Sequence, residues 1–312
     1  MSSGRRSRAG AVAGRVAVSV TLLWLVSRFV DVGEVLARLS ELSLGWVAVG
    51  LAVSVLQVSV LAWRWRYTAA RLGIDLPLRE ALGEYYLSIL LNQLLPGGVT
   101  GDVSRAWRHA RTDAPTGPAV RAVILERASA QVVMTLAAVV SVLVLPWAPP
   151  SIRVAAAVAA AVVLGAVLRE LVGRPGSEST SGGFWADTRQ ALFARDARAA
   201  QAASAVLVVA SYIVVFLVAA HAVGVETPLA SMLPLVAPVL MTMLIPVTVA
   251  GWGIREAAAA ALWGLAGLTP EDGAAISVTY GLLVLVSSAP GLLVLMRDLI
   301  GGRGRTARLP RA

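Results

Sequence analysis

The stretch Gly73-Ile-Asp-Leu-Pro-Leu78, followed by Asn92-Gln-Leu-Leu-Pro-Gly-Gly-Val-Thr-Gly-Asp-Val-Ser-Arg105, recurs in weaker form in the second half of the chain. Gly224-Val-Glu-Thr-Pro-Leu229 repeats its opening at an offset of 151 residues. Ile245-Pro-Val-Thr-Val-Ala-Gly-Trp-Gly-Ile-Arg-Glu256 repeats its close at an offset of 150. Both copies read Gly-aliphatic-acid-x-Pro-Leu, then an apolar run, then Pro-x4-Gly-x3-Arg, so Pro96, Gly101 and Arg105 answer Pro246, Gly251 and Arg255. A shared composition of helix breakers would not keep the arginine spacing. Internal duplication is therefore expected.

The medium in which the two copies fold follows from composition. Of 312 residues, 57% are hydrophobic and only 14% charged, where a soluble domain carries roughly a quarter charged residues. The chain is an integral membrane protein. Its 27 basic residues are all arginine, and with 18 acids the net charge is +9. The arginines cluster between apolar runs, which points to retention at the cytoplasmic face rather than to nucleic acid. There is no cysteine, hence no disulfide framework and no thiolate metal site. Two histidines, His109 and His221, are too few for a histidine-rich metal centre, and neither a metal nor a cofactor is expected.

In chain order, a first span is expected from about Ala11 to Val26 behind Arg5, Arg6 and Arg8. Ser27-Arg28-Phe29 offers no small-x-small cleavage site, so it should stay as a span. The second, about Leu44 to Ala62, ends in Trp63-Arg-Trp-Arg66, a pattern that suits indole rings among headgroups and guanidinium groups on phosphates. Pro77 and Pro96 then bracket a run holding Tyr85, Tyr86, Asn92 and Gln93, too polar and interrupted for a plain span of about 20 residues. A short basic helix follows Gly97, Gly98 and Gly101. Further spans are expected at about Val120–Leu145, Ile152–Leu168, Ala202–Ala220 and Ala274–Met296, with a short Ala-rich helix from Ala257 to Leu265 and a linker-like core at Gly176–Gly183. The whole, residues 1–312, reads as one transmembrane domain with halves of about 11–145 and 152–296. A cytoplasmic linker spans 169–201 and a basic tail spans 297–312.

Counting arginines by side tests this layout. If each repeat core dips in and returns to the side it left, 23 of the 27 arginines lie on one face, the cytoplasmic one by the positive-inside rule. Both termini and the linker are then cytoplasmic. One core is entered from inside and the other from outside. The expected fold is thus all-α and polytopic, with two inverted-topology halves, about six spans and two membrane-embedded broken or re-entrant segments. Transporters recurrently use this design, binding substrate near the midplane at broken helices. Irregular backbone at that depth is tolerated where it lines a cavity or is buried in protein.

The candidates for substrate binding follow from that logic. Arg105 and Arg255 each sit four residues beyond a glycine after a break. A guanidinium takes a phosphate bidentately, and a helix start favours the same anion. One arginine from each half would make a phosphate site reachable from either face. Against this, Arg105 reads equally as a snorkelling arginine and Arg255 as the partner of Glu256. Asp102 and Glu256 pair with these arginines, tune them or relay protons; Glu126 pairs with Arg127 or Arg121 or joins the site. Asn92 and Gln93 donate to a headgroup or serve as polar glue. Pro96, Gly97, Gly98, Gly101 and Gly251 supply the broken backbone. No HExxH, GxSxG or Walker A pattern is present, and no catalytic residue is assigned.

These residues resemble a known family, the flippase-like transmembrane region of lysylphosphatidylglycerol synthases and its stand-alone relatives. The resemblance is carried by Arg64-Trp65-Arg66, Leu95-Pro-Gly-Gly98 with Gly101-Asp102 and Arg105, Glu126-Arg127, and Gly253-Ile-Arg-Glu256, spread over about residues 15–298. It implies a membrane protein that moves or handles an anionic or aminoacylated lipid. No soluble aminoacyltransferase domain follows the last span, so lipid synthesis by this chain is not expected. The favoured function is translocation, or holding for a partner, of a phospholipid, aminoacyl-phospholipid or polyprenyl-phosphate carrier. The alternatives are an integral transferase acting on a lipid phosphate and a non-transporting partner of a separate synthase or glycosyltransferase.

Overall fold

The computed structural model describes residues 2–95, 98–112, 115–172, 183–245 and 247–305, and among them the chain is helical with no strand. The elements are α1 (Ser2–Phe29), α2 (Val32–Ser40), α3 (Leu44–Arg71), α4 (Leu78–Leu94), α5 (Thr100–Thr112), α6 (Thr116–Val144) and α7 (Pro150–Val172). They continue with α8 (Phe184–Thr188), α9 (Arg198–Ala222), α10 (Leu229–Met241), α11 (Ile254–Leu265), α12 (Pro270–Ser287) and α13 (Pro290–Arg305). Among the described residues five stretches are long and apolar enough to cross a bilayer: Val12–Phe29, α3, α6, Pro150–Glu170 and α9. The pair α12 and α13, bent by 40°, brings the number to six when Pro270–Ile300 is counted as one broken span. The chain is an all-α multi-pass membrane protein.

The duplication is visible in backbone detail. Gly73 and Gly224 both take positive φ, 77° and 70°, which only glycine adopts without a Cβ penalty. Each closes the preceding helix with the same bond, Ile74 N–H to Ala69 O at 3.0 Å and Val225 N–H to Ala220 O at 3.1 Å, a Schellman-type end. Pro77 and Pro228 then open α4 and α10 with nearly equal φ, −59° and −55°. Thus α3-α4-α5-α6 corresponds to α9-α10-α11-α12. The equivalent helices α3 and α9 pack against each other. Trp46 stacks on His221, Gln57 donates to Ser211, Arg64 to Ser204, and Gln201 to Thr68. Numbering falls on α9 as it rises on α3, so they run antiparallel. Equivalent helices that run antiparallel make the two halves inverted.

The first core is a helical hairpin. Arg108 donates to Glu84, Ser88 to Asp102, and Gly101 N–H to Asn92 Oδ1, so α5 returns along α4 to the face it came from. In lipid, helices gain little from apolar burial alone, and close backbone approach at small residues replaces it. Gly101 is such a point: a Cβ there would overlap the carbonyl oxygen of Ser88. Gly101→Ala is expected to cost about 1–3 kcal/mol as overpacking, read as a lower unfolding temperature in detergent. Gly165→Ala, on α7 where nothing lies within 4 Å, should leave it unchanged or raise it.

Two expectations need correction. The last span is not one straight helix from Ala274 to Met296 but α12 and α13 with a break at Ser288–Ala289. Pro290 has no N–H to continue the ladder, and Gly291 lies against the Tyr86 carbonyl, where a Cβ would sit 2.5 Å away. α3 runs nine residues past Ala62, which buries Arg64 and Trp65 completely instead of leaving them among headgroups. At the described ends of the polar connection 169–201, α7 extends into it, and α8 and a π-helical turn at Arg189–Phe193 dock through Arg121–Asp187 and Arg189–Glu170 pairs. Arg71 donates to both oxygens of Asp196, which holds that carboxyl below its usual range. Most of the linker core, along with Pro96, Gly97, Pro246 and residues 306–312, lies outside the described residues.

Candidate functional site

The first half carries five charged side chains in one connected cluster. Glu126, one turn and a half into the apolar part of α6, is fully buried; its Oε2 accepts from Arg105 Nη2 at 2.8 Å and from the Tyr85 hydroxyl at 2.7 Å. Its Oε1 lies 4.0 Å from Arg64 Nε. Arg64 anchors itself on the other half, donating to Gln201 O at 2.9 Å and Ser204 Oγ at 2.6 Å, and to Ser129 Oγ at 2.8 Å. Arg105 is clamped between Trp65 and Tyr85, its guanidinium carbon 4.9 and 4.2 Å from the ring centroids. Asp102 Oδ1 accepts from Arg105 Nε at 3.1 Å and from Arg127 Nε and Nη2 at 3.0 and 2.8 Å. Asn92 holds the turn by taking the Gly101 N–H at 2.7 Å. Charge at this depth survives only when paired, and every member but one is matched.

The second half repeats the position but not the chemistry. Arg255 and Glu256 occupy the first turn of α11, which starts three residues earlier than the Ala-rich run suggested. Arg255 Nη2 and Nε lie 2.7 and 3.1 Å from Glu256 Oε1, and Ser277 Oγ bridges both residues. Glu256 Oε2 takes the Gly253 N–H at 2.7 Å, a carboxylate satisfying a helix-start donor. The guanidinium lies against Trp252 and Tyr280, at 5.1 and 5.2 Å. Ahead of it the backbone takes positive φ at Ala250, Gly251 and Gly253.

Between the turns that follow α4 and α10 lies a cavity of about 230 Å³. Asn92, Gln93 and Gly98 reach it from the first half; Leu240, Met243, Leu244 and Ala250 from the second. Glu126, Arg127 and Gln131 of α6 line it with Tyr212 of α9 and Tyr280 of α12. The structure therefore brings together Asn92, Gln93, Gly98, Glu126 and Arg127 of the expected set. Arg105, Asp102, Arg255, Glu256, Gly101 and Gly251 stand behind the wall, and Arg105 and Arg255 share no partner. Arg127, whose side chain keeps 35% of its surface open, is the cation on the wall.

Sequence reasoning missed Arg64, Tyr212 and Tyr280. For Arg64 a signal existed: Gln57, Leu61, Arg64 and Thr68 recur at helical spacing, so the buried face of α3 continues through Trp63-Arg-Trp-Arg66. The two tyrosines sit in plain apolar spans, and nothing local marks them.

The family described as "Lysylphosphatidylglycerol synthase TM region" matches residues 12–291. The chain belongs to that family, which ties it to membrane lipid metabolism. No curated protein matches the chain.

Proposed function

We propose that this member of the lysylphosphatidylglycerol synthase transmembrane-region family moves, or holds for a partner enzyme, a phosphate-bearing lipid whose headgroup enters the cavity between the turns that follow α4 and α10. The observation that carries the reading is Arg127: a partly exposed arginine on the wall of the cavity, its guanidinium fixed by Asp102 through Nε and Nη2. A fork already oriented loses little freedom when it takes a phosphate oxygen. Inverted halves give the cavity one wall entered from each face, which suits a headgroup taken from one leaflet and released to the other, the acyl chains remaining in lipid. Arg105, Arg64 and the Arg255–Glu256 pair act behind the wall as the support that fixes its shape.

Arg127→Gln is expected to reduce retention of phosphatidylglycerol by the detergent-purified protein by about tenfold or more, the scale of a charge-assisted hydrogen bond of about 1.5–3 kcal/mol. The fold should persist, because Asp102 keeps Arg105. Native mass spectrometry reads the first and thermal unfolding the second. Unchanged retention would sink the reading.

The protein sits in the cell membrane with both termini on the cytoplasmic side, the face that the arginine count selects. Ser179→Cys should then react with an impermeant maleimide only in inverted or opened vesicles. Labelling of intact cells at that position would reverse the orientation.

A further inference from the structure

We infer that α8 and the π-helical turn after it form a foot seated in the headgroup layer on the linker side, with Phe184 and Trp185 inserted among the lipids. Its partner is a phospholipid surface. Such a foot is independent of what the cavity handles.

Depth is the first ground. Glu170 is the last residue of the apolar stretch Pro150–Glu170, and Arg189 Nε donates to its Oε2 at 2.8 Å. Arg71 closes α3, another span; its Nη2 donates to Asp196 Oδ1 at 2.9 Å and its Nε to the Gln190 carbonyl at 3.3 Å. Arg121, in the second turn of α6, pairs with Asp187. Three span ends thus hold the segment where hydrocarbon gives way to headgroups.

The second ground is an aromatic pair that the protein leaves uncovered. Thr188 and Ala191 are buried, whereas Phe184 and Trp185 keep 42% and 66% of their surface open, their rings in edge contact at 5.7 Å. Aromatic side chains are favoured at the boundary between hydrocarbon and water. Trp63 and Tyr67 stack at 5.2 Å on the adjoining α3, and the Tyr67 hydroxyl donates to the Asp196 carbonyl at 3.4 Å. Two aromatic pairs therefore share this level.

Charge is the third ground. Arg195 and Arg198 just beyond the turn are exposed, and the side chain of Arg169 keeps 81% of its surface open. Basic residues at this depth are drawn to lipid phosphates. A soluble acidic partner would suit the arginines but would leave two rings at the membrane boundary without a function. The foot is also tied to the site: Arg121 belongs to the helix that carries Glu126 and Arg127, and Arg71 to the one that carries Arg64. Its seat in the leaflet therefore sets the height of the charged cluster.

The test exploits a chain without cysteine. Trp185→Cys and, separately, Phe184→Cys are made in the full chain, labelled with a nitrobenzoxadiazole fluorophore and placed in nanodiscs of equal parts phosphatidylcholine and phosphatidylglycerol. Thermal unfolding confirms that each labelled protein is folded; two positions guard against one label disturbing the segment. The label should lie about 5–10 Å into the headgroup and acyl boundary. A doxyl group near the headgroup end of the lipid chain should then quench it more than one at the chain end, and aqueous iodide should quench it little. Strong quenching by iodide with none by lipid at both positions overturns the inference. So does shielding from both quenchers, which would mean that a second copy of the chain covers the rings.

Discussion

Glu126→Ala is expected to lower the stability of the detergent-purified protein by about 3–5 kcal/mol, the cost of breaking a buried ion pair from one side. The carboxylate is fully buried and stands between Arg105 at 2.8 Å and Arg64 at 4.0 Å. Without it, Arg64 loses its one carboxylate, Arg105 and Arg127 share Asp102, and the surplus charge doubles where water cannot screen it. The Tyr85 hydroxyl also loses its acceptor. Glu126→Gln should fall between, since the amide oxygen still accepts but carries no charge. The double variant Glu126→Gln with Arg105→Gln should be more stable than Glu126→Gln alone, because it removes the charge left uncompensated. Thermal unfolding in detergent measures all three; a Glu126→Ala protein that melts like the natural one would mean the cluster is not paired as described.

Arg255→Ala should be comparably damaging, again about 3–5 kcal/mol, for a different reason. It strands Glu256, which keeps only the Gly253 N–H and the Ser277 hydroxyl, and removes the side chain packed on Trp252 and Tyr280. Arg255→Lys should not rescue it, because an ammonium cannot lie flat on two rings while bridging a carboxylate and a hydroxyl. The double variant Arg255→Met with Glu256→Gln decides between the two roles the sequence allowed. If the pair supports the wall, stability and lipid retention return together. If Arg255 holds the phosphate itself, the double variant folds and still retains no lipid.

Much of this fold was legible without coordinates because lipid imposes few choices. A run of about 20 apolar residues must be helical there, which placed the spans to within a turn at most ends. The repeated Gly-x3-Pro-Leu and Pro-x4-Gly-x3-Arg spacing marked the same helix end and the same break in each half, and positive φ at Gly73 and Gly224 is the physical content of that repeat. Arginine distribution set the inversion, which the antiparallel pairing of α3 with α9 bears out.

Depth and direction of side chains were decided only by tertiary structure. Arg105 and Arg255 share one sequence position in the repeat, yet one joins a five-residue cluster with a charge left over and the other closes a neutral pair. The difference lies in what surrounds each: Glu126 from α6, Tyr85 from α4 and the bridging Asp102 of its own helix in the first half, Ser277 from α12 and the adjacent Glu256 in the second. Arg64 looked like an interface residue because aromatic and basic neighbours suit headgroups, and only the packing of α3 against α6 and α9 shows that it is enclosed. Local sequence fixes helix, break and charge. Which charges meet, and which one remains facing the cavity, depends on contacts between distant residues, such as Arg64 and Ser204, 140 positions apart, and no local pattern encodes those.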